Sequence, residues 1–371
     1  MTTIPSKDFG YSEIEPTAGK DTAIVGMSAK LVGLVFIWIA IVTGAVSFVV
    51  RPIKIAEAAS FQQRILGSFS SYKGFVHSED VRLKSTATRI LMPGIIGAVA
   101  SATRLSWPFS FSLVRLISIF VAFLAFYLYL RAWFSDTISM LGTLIVAATV
   151  PLTFNNFFEY PTDFPELLVF TLGLWCIREK RDWLLCAVIA VGTLNRETTL
   201  FLPLILLLSR LDKNTIRVTL LKVAAAGLSW LVPLACLRWW TGIGPMGVYG
   251  DSIYHNFHGL AAFFTNFNPY NNYLFYLYLF GPLWLLPFIY WRRQPQFLKG
   301  VLLSLPAFLV VYVFLGGFLD EPREIINLYP LLVPAGLFSI FGRNAIGTKS
   351  FVEKIQATEH TRELAVGEFG G

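Results

Sequence analysis

Three carboxylates, Glu159, Asp163 and Glu166, fall within the stretch Asn155 to Glu166 (Asn-Asn-Phe-Phe-Glu-Tyr-Pro-Thr-Asp-Phe-Pro-Glu), between two strongly apolar runs. Ionisable groups beside a bilayer core are costly unless solvated, paired or placed in a cavity, so this is the first place to look for chemistry. A carboxylate able to accept a proton, set near fixed arginines, is what deprotonating a hydroxyl beside an anionic leaving group requires. A local reading competes. Asp163, Pro165 and Glu166 ahead of Leu-Leu-Val-Phe also read as a helix start, with an N-cap acceptor, proline in the first turn and an N3 glutamate. Glu159 has no such explanation.

Other stretches carry polar residues into apolar surroundings. Arg196-Glu197 sits between two apolar helices, where opposite charges serve a function or neutralise each other; on the second reading they form a local ion pair and Asn195 caps the next helix. Glu321-Pro322-Arg323-Glu324 precedes Ile-Ile-Asn-Leu-Tyr-Pro. Arg323 offers a planar fork of donors to a phosphate, while Pro322 and Glu324 also suit the first turn of a helix. Asp251, His255 and His258 have i, i+4, i+7 spacing, which fits metal ligands on one helical face but is equally ordinary on a wet loop helix. Gly242-Ile-Gly244-Pro-Met-Gly247 matches G-x-G-x-x-G with no strand before it, so it is not read as a nucleotide loop. Cys176, Cys186 and Cys236 lie in or at apolar runs without metal-type pairing and read as inert core residues.

The elements that position these residues follow from composition. Of 371 residues 55% are hydrophobic and 14% charged, and the mean hydropathy is +0.61. That predicts an all-α, polytopic integral membrane bundle, because a soluble chain of this size could hardly hide so much apolar surface. Ten Trp, 14 Tyr and 33 Phe suit aromatic belts at the membrane interfaces. A net charge of +7 does not imply nucleic acid, since much of it is sorted into short loops between apolar runs.

Residues 1–30 read as a disordered cytoplasmic tail, 31–341 as the transmembrane domain and 342–371 as a second cytoplasmic tail. Ten spans are expected: 31–50, 109–130, 137–153, 164–177, 183–194, 198–209, 218–240, 271–291, 300–318 and 325–341. Ile55 to Phe69 has the spacing of an amphipathic interfacial helix, and Ile90 to Thr103 is short enough to be interfacial or re-entrant. This arrangement places 18 basic residues on one side and three, Arg196, Arg238 and Arg323, on the other, with nine more in the first-loop region. The positive-inside rule makes the first side cytoplasmic. Most acidic boundary residues then face outward, while Asp136, Glu179, Asp182 and Asp212 fall inside, three of them reading as solvated surface beside basic residues.

A long first loop holding Arg89-Ile-Leu-Met-Pro93, acidic residues after the third span, Asn-Arg-Glu-Thr at 195–198, and Glu-Pro-Arg-Glu before a late Tyr329-Pro330 helix together resemble polytopic glycosyltransferases of the GT-C structural class. The resemblance covers residues 31–341. It implies transfer of a sugar, with inversion, from a polyprenyl-phosphate donor to a glycan, lipid or protein acceptor on the non-cytoplasmic face of the plasma (inner) membrane. It also implies a first-loop carboxylate as base. Members carry an Asp soon after the first span, whereas here the nearest acid is Glu57, with Glu79 and Asp80 following later. The implied roles are therefore Glu57 or Asp80 as base, Glu159 or Asp163 orienting the acceptor or a divalent metal, Arg196 and Arg323 holding the donor phosphate, and Glu197, Glu321 and Glu324 supporting. No other cofactor is implied. A transporter or flippase of lipid-linked sugars would also need basic grooves and intramembrane charges, but it would expose its charged site to both sides in turn.

Overall fold

A computed structural model describes residues 29–49, 89–154, 161–211, 216–241, 279–315 and 322–342, and every regular element among them is helical. The main helices are α1 Ala29–Val49, α2 Leu91–Thr103, α3 Trp107–Arg131, α4 Asp136–Thr153, α5 Asp163–Arg178, α6 Asp182–Asn195, α7 Phe201–Ser209, α8 Ile216–Thr241, α9 Gln296–Leu303, α10 Leu305–Leu315 and α11, residues 329–342. The expected tails and the expected amphipathic helix Ile55 to Phe69 lie outside the described residues.

Four segments are long and apolar enough to cross a membrane: α3, α4, most of α8, and Ile325–Gly342, in which 3-10 turns lead into α11. Among the described residues there are thus four full-length helices, with shorter apolar ones beside them. Two expected spans are interrupted. The run 300–318 turns at Ser304 between α9 and α10, where Pro306 has no amide to continue the ladder. Residues 281–293 wind as short turns around Pro282, Pro287 and Gly281, whose φ of 45° lies in the left-handed region.

α5, α6 and α7 run up, down and up through the bundle. Arg210, just after α7, bonds Asp182 at the start of α6 at 2.6 Å, so the two helices form an antiparallel hairpin. α8 begins at the same end, where Lys222 reaches Asp182 at 2.7 Å. At that end too, Arg178 donates to the Ala132 carbonyl at 2.6 Å and lies over the Trp133 ring, which stacks on Phe297. α2 lies against the first part of α3, burying Met92 and Ile96 against Phe111 and Val114. It is 13 residues long, a short apolar helix over the expected Ile90 to Thr103 segment.

α5 and α11 form the centre, with Leu167, Phe170 and Leu174 on the first and Leu331, Leu332 and Leu337 on the second fully enclosed. Gly142 lets α4 approach both α3 and α11, since a Cβ there would stand 2.5 Å from Leu130 and 2.7 Å from Leu337. In lipid no hydrophobic force drives helices together, so such close van der Waals contact and buried polar bonds carry the association. The outer faces are apolar: Ile37, Ile41 and Phe48 on α1 and Leu221, Leu228 and Val232 on α8 are exposed. Surfaces of this kind suit a bilayer and are a liability in water. Trp183 near one end and Trp239 near the other are also exposed, as interfacial indoles are.

Candidate functional site

The first turn of α5 carries two buried carboxylates that do not cap it. Thr162 occupies the N-cap position with helical backbone angles (φ −82°, ψ −15°), and no side chain there makes a capping bond. Asp163 and Glu166 instead meet the turn between α6 and α7. In that turn Arg196 is extended (φ −161°, ψ 140°), which ends α6 and sends its guanidinium back into the bundle. One terminal nitrogen of Arg196 donates to Glu166 Oε2 and the other to Asp163 Oδ1 at 3.2 Å. Glu166 Oε1 accepts from Thr198 Oγ1 at 2.6 Å and from Asn327 Nδ2 at 2.8 Å. Asn195 Nδ2 donates to the Thr162 carbonyl at 3.0 Å, tying the end of α6 to the start of α5.

Asp163 and Asn327 have no exposure, Glu166 1% and Arg196 3%. Charges so far from solvent persist only when paired and hydrogen-bonded, and Glu166, with three donors on its two oxygens, meets that condition. The cluster draws on α5, the α6–α7 turn and the 3-10 turn before α11, segments up to 161 positions apart in the chain.

Several expectations change here. The helix-start reading of Asp163 and Glu166 gives way to an ion-paired one, because a carboxylate already in the first turn is directed to the guanidinium across the helix interface. Arg196 turns to Asp163 and Glu166, and Asn195 ties back to Thr162 while Arg196, not Asn195, stands at the N-cap of the next turn. Glu197 faces the other way. Its carbonyl accepts from Trp230 Nε1 at 2.8 Å, its carboxylate lies 3.9 Å from Arg238, and its side chain is 34% exposed. Sequence reasoning left Glu166 between a helix-start residue and a site carboxylate, took Thr198 only as part of the Asn-Arg-Glu-Thr stretch, and did not single out Asn327. The available signal for Asn327 was an amide in an otherwise apolar run, Ile-Ile-Asn-Leu.

Glu57, Asp80, Glu159 and Glu321 lie outside the described residues, as do the side chains of Arg323 and Glu324 and the segments holding Gly242 to Gly247, Asp251, His255 and His258. Among the described residues no group of three His, Cys, Asp or Glu could hold a metal ion. Asp163 and Glu166, both engaged by Arg196, do not fit a divalent-metal site. A small crevice between α2, α3 and the start of α5 is lined mainly by apolar side chains, with Arg115 and Ser118 on one wall.

The opposite end holds its charges differently. Asp136 pairs with Arg131 at 2.5 Å and accepts from Tyr127 Oη at 2.8 Å. Glu179 pairs with Arg178, and Asp182 with both Arg210 and Lys222. These acids, three of the four expected inside, are ion-paired; Glu179 is exposed as expected, while Asp136 and Asp182 are only partly exposed. Burial alone would raise the Asp182 carboxyl, but the hydrogen bonds from Lys222 and Arg210 more than reverse this and hold it below its ordinary value. α5 ends in a Schellman turn: the Arg181 amide donates to the Cys176 carbonyl at 2.9 Å and the Lys180 amide to Ile177 at 3.3 Å, with Lys180 at φ 57° where glycine is usual. Of the cysteines Cys176 is buried, whereas Cys236 is exposed rather than in the core. No protein-family model matches the chain, and neither the curated proteins nor the solved structures contain a match to it.

Proposed function

We propose that the chain is a polytopic membrane glycosyltransferase of the GT-C kind, moving a sugar from a polyprenyl-phosphate carrier to an acceptor at the non-cytoplasmic face of the plasma membrane. The observation that carries this reading is convergence: the Asp163–Glu166 turn, Asn195–Thr198 and Asn327 meet at one end of the bundle, away from the basic turns. The shorter apolar helices bring the crossings to about ten on this reading. α6, with 14 residues, rises about 21 Å at 1.5 Å per residue, less than the ~30 Å hydrocarbon core. With Asp182 at one headgroup layer, Arg196 lies below the opposite one, in a sheltered recess suited to a lipid-borne substrate. Asp163, Glu166 and Arg196 act there as positioning residues, since all three are buried and bonded to one another. Glu197, partly exposed and pinned at its carbonyl by Trp230, is the carboxylate of this turn placed to take a proton from an acceptor hydroxyl.

The test is incubation of purified, bilayer-reconstituted protein with labelled polyprenyl-phosphate sugars and candidate acceptors. Labelled product is expected, and Glu197→Gln should lower turnover by about 10² to 10⁴-fold with folded protein retained. Movement of the labelled lipid between leaflets without product would transfer the assignment to a flippase, a class also served by a charge cluster at a helix break. Full turnover in Glu197→Gln would remove that residue from the chemistry.

A further inference from the structure

The end of the bundle away from the buried cluster presents a surface of one sign. Across the turns at 131–136, 178–182, 210–222 and 291–299, the described residues include ten basic and three acidic side chains. All three acids are engaged: Asp136 by Arg131, Glu179 by Arg178, and Asp182 by Arg210 and Lys222 together. Lys180, Arg181, Arg217, Arg292 and Arg293 remain exposed on adjoining turns, with no acidic partner among the described residues. Those turns are knitted into one surface, because Arg178 lies over Trp133, Trp133 stacks on Phe297, and Lys222 meets Arg210 at Asp182.

Two further observations say what this surface meets. Lys180 occupies the left-handed position of the Schellman turn, where an L side chain is strained and glycine would not be. A cation stands there against the backbone's preference, as Arg104 does after α2, and here it adds to the basic residues of the adjoining turns. Trp183, three positions on, is 90% exposed. An indole so placed beside a cationic turn sits at headgroup level, which points to a bilayer rather than a soluble polyanion.

We propose that this end binds the headgroups of anionic phospholipids, with phosphodiester oxygens held among Lys180, Arg181, Arg217, Arg292 and Arg293 and the Trp183 ring lying against the adjoining lipid. The inference rests on the membrane reading and not on sugar transfer. Anionic lipid therefore associates with the protein in preference to zwitterionic lipid, and the preference weakens as salt screens it.

The experiment is tryptophan quenching by brominated lipids in reconstituted bilayers, titrating brominated phosphatidylglycerol against brominated phosphatidylcholine. An association preference of about tenfold or more for the anionic lipid is expected at low salt, since about 1 kcal/mol per nearby cation makes even two of the five sufficient. The combined variant Lys180→Gln, Arg181→Gln, Arg217→Gln, Arg292→Gln, Arg293→Gln should bring the ratio close to one. Lys180→Gly provides a second reading that does not endanger the fold: its thermal stability should equal or exceed that of the wild type while the lipid preference falls. Inorganic phosphate at matched ionic strength should not displace the lipid. A wild-type ratio near one, a ratio unchanged in both variants, or displacement by inorganic phosphate would each overturn the proposal.

Discussion

Arg196 is the residue on which the buried cluster depends, because one guanidinium answers two carboxylates where water does not reach. Removing one partner of a buried pair leaves a charge in a low dielectric, at a cost of about 3–5 kcal/mol. Arg196→Met is therefore expected to destabilise by that order in unfolding measurements on solubilised protein. Arg196→Met combined with Glu166→Gln should cost clearly less than the two single changes summed, a coupling that a double-mutant cycle reads directly. Additive losses would mean that the two side chains do not support each other. The sequence identified Asp163 and Arg196 but left Arg196 between a local pair with Glu197, its neighbour in the chain, and a donor-phosphate ligand. The extended backbone at Arg196 explains the difference: successive side chains on extended backbone point to opposite sides, so Arg196 enters the bundle and Glu197 leaves it. Glu166 was hidden by the quality of its own local pattern, since proline and glutamate in a first turn satisfy a helix-start rule whether or not the glutamate is needed elsewhere.

At the scale of elements, α9 and the end of α7 meet backbone to backbone. A Cβ on Gly300 would stand 2.3 Å from Ser209 Cα and 2.6 Å from its backbone nitrogen, and backbone cannot swing aside as a side-chain tip can. Gly300→Ala should separate the two helices and destabilise by about 1–3 kcal/mol, read as a lowered Tm with the oligomeric state unchanged. The knot joining α6, α7 and α8 makes a separate, pH-dependent prediction. Asp182 has a folded-state carboxyl held below the ordinary value, so its stabilisation is complete above the unfolded value, roughly pH 4, and is lost as pH falls through the lower folded value. Asp182→Asn should accordingly be less stable than wild type at pH 7, with the gap closing at acid pH; a gap that stays constant to pH 2 would exclude the linkage. α3, α4 and α8 were legible because each is a long, mostly apolar run with few charges. The breaks at Ser304 and around Gly281 were not, since average hydropathy registers apolar content while proline and a left-handed glycine decide the path of the chain.

For the molecule as a whole, α3 offers the simplest test of orientation. Its 25 residues rise about 37 Å, enough to separate Ser106 before it from Ser135 after it by a full bilayer core. In a background with Cys176, Cys186 and Cys236 replaced, Ser106→Cys should react with an impermeant thiol reagent from outside the cell, and Ser135→Cys only after the membrane is opened. Labelling of both from one side would sink the topology and the outward-facing site with it. The charge sorting that suggested this orientation has a physical counterpart in the fold, for the basic turns gather at one end and the acidic cluster forms near the other. Which helix lies at the centre was not legible, because hydropathy rates a helix facing lipid and one facing protein alike. The order of burial has a consequence for how the protein is made. Among the described spans Ile325–Gly342 is the most enclosed and is made after the others, and Asn327, near its start, completes the bonding of Glu166 made 161 residues earlier. Until translation reaches it, the inserted helices surround an unfilled centre and an incompletely bonded carboxylate. A stop codon anywhere before Ile325 would thus remove the keystone of the bundle rather than trim its edge, leaving Glu166 without its Asn327 donor.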